Sequence, residues 1–165
     1  MSTRLITRVA LPAAMYVVLG QVVRFIPNPM VPGAIVALNM VVVVIAGMLL
    51  GPAAGALVGL VGTFANAISP AGNPFEWTAI VPHTIMGLVA GLVGQRFRVL
   101  GALTIIVGHV LNVGAFILVG LMPATQMAVT IFSVGLLAEV VIDIVVIMIA
   151  VPLLRPLVSR GLPGR

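Results

Sequence analysis

The chain has 165 residues, of which 62% are apolar and 7% charged, against about 45–50% and about 25% in a typical water-soluble domain. That composition excludes a soluble globular protein and describes an all-α integral membrane protein, one transmembrane domain over residues 1–165, embedded in the lipid bilayer. Eight arginines, no lysine and three acids give a net charge of +5; the positive-inside rule accounts for this balance, and no nucleic-acid partner is expected. The lack of cysteine removes disulfides and thiolate metal sites.

Taken in order, the chain predicts six transmembrane helices in a compact bundle, at about residues 5–23, 34–50, 53–68, 78–93, 100–121 and 127–151. The start, MSTRLITR before an apolar run, could pass for a signal peptide. No small-residue cleavage site follows, however, and Arg24 closes the run, so it reads as a retained span. It carries Ala10 and Ala14 four apart, a small-residue face of the kind that packs against another helix. The second span is apolar and charge-free, long enough at 1.5 Å per residue to cross most of a bilayer. Gly51-Pro52 stops it and starts the third, because proline lacks an amide donor and is best tolerated in a first helical turn. Gly51, Gly55 and Gly59 form a doubled G-x-x-x-G on the third span, and Gly87, Gly91 and Gly94 a similar stripe on the fourth; both are expected to let helices approach closely. The nine methionines are scattered and read as gap fillers rather than ligands.

Six spans put both termini on one side, with the turns near Gly51-Pro52 and residues 95–99. That side holds seven of the eight arginines, all but Arg24, so both termini are predicted cytoplasmic. The outer side then holds the loops FIPNPMVPG, SPAGNPFEW and MPATQ, each punctuated by proline.

Polar groups within the spans are costly: an ionised carboxylate near a helix centre costs about 2.5–3.5 kcal/mol on insertion scales. Glu139 and Asp143 lie one turn apart on span six and need partners. Spans five and six run antiparallel through a short turn, so residues with a nearly constant number sum face each other. Two rungs follow: His109 with Asp143, a structural polar pair in the cytoplasmic half, and Asn112 with Glu139 near the midplane. Asn39, Asn66 and His83 fall within about 8 Å of the outer boundary by helical rise, and Arg24, Asn73, Glu76 and Trp77 lie at or beyond it. This concentration predicts a polar pocket opening outward, with Asn39, Asn66, Glu76, Trp77, His83, Asn112 and Glu139 as its substrate-binding candidates. Each also has a structural role open to it: Trp77 as an interfacial anchor, Arg24 as a snorkelling charge, Asn66 as a helix C-terminal polar group.

No glycine-rich phosphate loop for ATP and no serine or zinc hydrolase motif occurs in the sequence. Two histidines on different spans, without cysteine, make a weak metal case; no metal, no cofactor and no enzyme activity are expected in this chain.

The pattern resembles the S components, the substrate-binding membrane subunits of energy-coupling factor (ECF) vitamin transporters. The size and six-span outline carry the likeness, together with the Ala10/Ala14 face, the A-G-M-L-L-G-P-x-x-G-A run at residues 46–56 and the P-L-L-R-P segment at residues 152–156. The resemblance implies a multi-pass protein of a prokaryotic plasma membrane that captures a small vitamin-like ligand from the outer face. It also implies docking through Ala10 and Ala14 onto a transmembrane coupling protein driven by two cytoplasmic ATPases, so that ATP is used by the partner subunits. The ligand stays open: Glu76, Glu139 and Trp77 suit a cationic or aromatic ring, whereas Arg24 suits a carboxylate. A scaffolding membrane protein with a filled outer half, and a small proton-coupled carrier using His109, Glu139 and Asp143, are the competing readings.

Overall fold

A computed structural model describes residues 3–26, 36–70 and 72–160. It contains six helices and, among the described residues, no strand: α1 Thr3–Val23, α2 Met40–Leu50, α3 Pro52–Ala67, α4 Pro74–Gly94, α5 Arg98–Leu118 and α6 Gln126–Arg160. Most of the first outer loop, the expected start of span two at residues 34–35, Ala71 and Arg165 lie outside the described residues.

Among the described residues, four segments are long and apolar enough to cross a membrane: Leu5–Val23, Pro74–Gly94, Arg98–Leu118 and Val134–Ser159. The helices α2 and α3 are shorter apolar elements. The expectation for span two is corrected here. Helix begins at Met40, and its 11 residues rise about 16 Å, roughly half the hydrocarbon thickness. The chain just before it turns instead, with Val36 N–H donating to the Ile26 carbonyl at 3.2 Å and Ala37 N–H committed to the Glu139 carboxylate at 2.6 Å. An amide held by a side chain on another helix is not available to continue α2 backward.

The fourth helix departs from expectation in the other direction. Asn73 accepts hydrogen bonds from the backbone N–H groups of Phe75, 2.9 Å away, and Glu76, 3.2 Å away, and Pro74 occupies the first turn. This is an asparagine N-cap followed by a proline preorganised for helix. The NPFEW segment is therefore the first turn of α4 rather than a loop. Glu76 and Trp77 consequently point about 100° apart, one buried and one half exposed.

The middle of the molecule is α2, with Met40 to Val44 and Ala46 to Met48 buried. Its tight turn to α3 is made at Gly51, whose φ of +100° is a backbone state that side chains oppose. The glycine stripes sit where helices touch. A Cβ on Gly47 would stand 2.6 Å from the Gly87 carbonyl oxygen. One on Gly55 would collide with the Gly87 carbonyl, and one on Gly59 with that of His83. These contacts place α3 against α4 at backbone distance, as small-residue stripes allow.

Gly62 lies under the Tyr16 ring and Gly20 under the Asn66 side chain, so α1 runs parallel to α3. Met48 lies against Gly94 and Gly101, and Arg98 shares a cleft with Arg155. The helix ends bearing Arg8, Arg96, Arg98 and Arg155 thereby gather at one end of the molecule, while Arg24 stands at the other.

Gly55→Leu is expected to overpack the α3–α4 contact, and an overpacking cost of about 1–3 kcal/mol would lower the melting temperature by about 2–12 °C. Gly114→Ala, where an added Cβ meets nothing within 4 Å, is expected to leave it unchanged or slightly raised. Thermal unfolding of both variants in one detergent checks the pair.

Candidate functional site

The imidazole of His83 on α4, 2% exposed, is held from three other helices. Tyr16 Oη on α1 and Thr63 Oγ1 on α3 each stand 2.9 Å from Nδ1. Asn112 Nδ2 on α5 stands 3.2 Å from Nε2. With the amide NH2 facing the ring, Nε2 accepts and Nδ1–H donates to a hydroxyl. The Tyr16 hydroxyl in turn donates to Glu76 Oε2 at 3.5 Å. The result is a directed chain: Asn112 to His83, His83 to Tyr16, Tyr16 to Glu76.

Two further carboxamides meet this chain at its Glu76 end. Asn39, immediately before α2, and Asn66, on the last turn of α3, are both fully buried and stand beside the Glu76 carboxylate. Among the described residues, neither polar atom of the Asn39 amide finds a partner at hydrogen-bonding geometry, nor does Asn66 Nδ2 or Asn112 Oδ1. Buried polar groups are almost always paired, and leaving one unpaired costs about 1–3 kcal/mol. Four such atoms around one histidine mark this region out.

The sequence-derived candidates separate into two groups. Asn39, Asn66, Glu76, His83 and Asn112 come together. Glu139 does not join them, and the expected Asn112–Glu139 rung is replaced: Asn112 turns to His83, and Glu139 Oε1 accepts from Ala37 N–H. Glu139 stands instead with His109 and Asp143. His109 Nε2 is 3.5 Å from Asp143 Oδ2, both residues buried. His109 also borders a cleft of about 380 Å³ between α5 and α6, otherwise walled by aliphatic side chains such as Val113, Leu136 and Val140.

Trp77 is 50% exposed and packs edge-on against Phe64, ring centroids 5.7 Å apart, on the outward face of α3 and α4. Arg24 is exposed beside Gln21, its guanidinium 4.5 Å from the Phe25 ring centroid. Neither is brought to the His83 cluster, so of the residues that hinted at ligand charge only Glu76 stands within it. His83 also lies deeper than expected: because α4 starts at Pro74, His83 is about 14 Å along it, near mid-helix. Ala10 and Ala14 sit on the exposed side of α1, whereas Val9, Ala13 and Tyr16 face inward.

Sequence reasoning missed Tyr16 and Thr63. The signal for Tyr16 is its being the one tyrosine of the chain, set within an apolar span and able to bury its ring only if its hydroxyl finds a partner. Thr63 lies three residues before Asn66, on the same helix face.

Because either hydroxyl can satisfy Nδ1, Tyr16→Phe and Thr63→Val should each be mild while the double variant strands the nitrogen. The expected double-mutant cycle shows a coupling of about 1–3 kcal/mol beyond additivity, measured by reversible unfolding in mixed micelles; strict additivity would refute the shared role.

Comparison with known proteins agrees with the membrane architecture. The family model described as "ECF-type riboflavin transporter, S component" matches residues 1–159. A UPF0397 protein of Streptococcus pneumoniae strain CGSP14 is 37% identical over 95 residues, which is 58% of this chain and 50% of that protein. The UPF0397 protein of S. pneumoniae serotype 19F strain G54 is 35% identical over 97 residues, 59% of this chain and 51% of its own length. The chain thus spans about half the length of the curated relatives it matches. No solved structure matches it. With four membrane-crossing apolar helices and a family match over nearly its whole length, this multi-pass chain belongs to the S component family of ECF-type riboflavin transporters, a transporter family rather than an enzyme family.

Proposed function

We propose that the chain is the substrate-binding subunit of an ECF-type importer and that the His83 cluster binds riboflavin or a close, unphosphorylated flavin. The observation that carries this reading is the set of unpartnered amide atoms on Asn39, Asn66 and Asn112. They comprise two NH2 groups and two carbonyl oxygens, all buried. A flavin ring edge alternates carbonyl oxygens with an N–H, so carboxamides, each both donor and acceptor, are matched to it. The family description names riboflavin, and the cluster contains no arginine to neutralise a phosphate, which favours the free vitamin over its phosphate ester.

In this reading the arginine-rich helix ends lie on the cytoplasmic side of a bacterial plasma membrane, with both termini there, and the vitamin enters from the opposite end. Ala10 and Ala14 present a low-relief strip of α1 to a transmembrane coupling protein. Two ATPase subunits then supply the energy, so this chain needs no nucleotide of its own.

The ligand is tested on tag-free protein purified in mild detergent, by mass spectrometry of co-purified small molecules and by quenching of Trp77 fluorescence on riboflavin addition. Wild type is expected to carry or bind riboflavin and to bind its phosphate at least about tenfold more weakly, a 1.4 kcal/mol difference. Asn39→Leu/Asn66→Leu should abolish binding, with melting curves reporting whether the fold survives; of the four amide atoms replaced, only Asn66 Oδ1 has a hydrogen-bond partner, Ser69 at 3.5 Å. A wild type that neither carries a metabolite nor responds to riboflavin overturns the reading.

Docking is tested separately: Ala14→Trp is expected to retain riboflavin binding but lose co-purification with the coupling protein when the importer subunits are expressed together. Undiminished complex formation would move the docking surface off this face.

A further inference from the structure

We infer that His109, Glu139 and Asp143 form a binding site for a divalent first-row transition-metal cation, distinct from the His83 cluster. One ligand atom from each of these three side chains can be chosen so that all lie within 4.8 Å of one another. The three residues are buried at 4%, 6% and 0% exposure respectively.

Charge is the first reason to see a cation site here. Two carboxylates meet in an apolar interior, and among the described residues His109 supplies the ion-pair contact there. The nearest arginine along α6, Arg155, is twelve residues from Asp143, about 18 Å by helical rise. His109 alone faces both acids. A neutral imidazole with two carboxylates carries a charge of −2, which a divalent ion cancels, and buried charges persist when paired or coordinating a metal. The second reason is independent of the cluster itself. Asp143 Oδ1 is buried without a partner, although its companion Oδ2 reaches His109. A fully buried carboxylate oxygen left unpaired is a ligand atom in waiting.

Surrounding structure fits the same role. Ala37 N–H donates to Glu139 Oε1 at 2.6 Å, orienting that carboxylate as an outer-shell partner orients a metal ligand and leaving Oε2 for coordination. His109 borders the α5–α6 cleft, whose other walls are aliphatic, so no neighbouring cation or donor competes with an ion at that edge of the cluster. A nitrogen and two carboxylate oxygens suit manganese, iron, cobalt or zinc better than a soft ion. Two ligands at about 2.1 Å from one metal stand at most about 4.2 Å apart, so binding draws the three side chains inward by small rotations. His83 offers no such site, because both its ring nitrogens are already engaged.

The inference does not depend on the flavin reading, and its test uses no vitamin. Tag-free protein, stripped with chelator, is titrated with Co2+ while visible absorbance and calorimetry are followed, then with Mn2+ by electron paramagnetic resonance. One equivalent is expected to bind, with cobalt bands typical of nitrogen–oxygen coordination. Asp143→Asn and Glu139→Gln should each weaken it at least tenfold, and their melting curves report whether the fold survives. Metal should also raise the melting temperature of wild type and of neither variant. If chelated wild type takes up no cobalt or manganese below millimolar concentration, or if both variants bind as wild type does, the site is not a metal site.

Discussion

Hydrocarbon offers a buried polar group no water, so each must find its partner within the protein, and in this molecule His83 is where that requirement falls most heavily. Its two ring nitrogens take side chains from α1, α3 and α5, while the ring itself belongs to α4. Displacing any of these four helices strands a nitrogen or a hydroxyl in a medium that cannot replace the lost bond. The cluster therefore sets the mutual rotation of the helices as much as their aliphatic contacts do. Lipid-like surroundings supply little hydrophobic preference for one rotation over another.

That convergence is possible only because the backbones come close. Gly55 and Gly59 on α3 meet the carbonyls of Gly87 and His83 on α4 without an intervening side chain, and Gly62 leaves space for the Tyr16 ring. With larger residues at these positions the short Thr63 side chain would not reach the imidazole. Packing by absence and bonding by a few polar groups are thus one device: the glycines set the distance, and the polar groups select the register.

The two polar groups differ in a way that bears on what they do. Around His83 the unpartnered atoms are carboxamide atoms, suited to a neutral ligand rich in carbonyl and N–H groups. Around His109 the excess is carboxylate oxygen, suited to a cation. Asn112 and His109 share one helix face three residues apart, so α5 carries both groups and links them mechanically.

Composition alone settled that the chain lives in a membrane, because 62% apolar residues leave too little polar surface for water. The hairpin at Gly51-Pro52, the glycine stripes and the burial of Asn39, Asn66, His83 and Asn112 were legible too, since each rests on a local rule or on the cost of a polar group within an apolar run. The His109–Asp143 proximity was legible from antiparallel spacing. What tertiary structure decided was angular. Glu76 and Trp77 are neighbours in sequence yet face opposite environments, because the Asn73 cap starts α4 early and fixes its phase. Asn112 turns to His83 rather than Glu139 because depth along a helix says nothing of rotation about its axis. Ala37 lends its amide to Glu139 across 102 positions of chain, shortening α2 against its own apolar pattern. One-dimensional spacing determines which residues lie at one level of the membrane; only the packed helices determine which of them face each other.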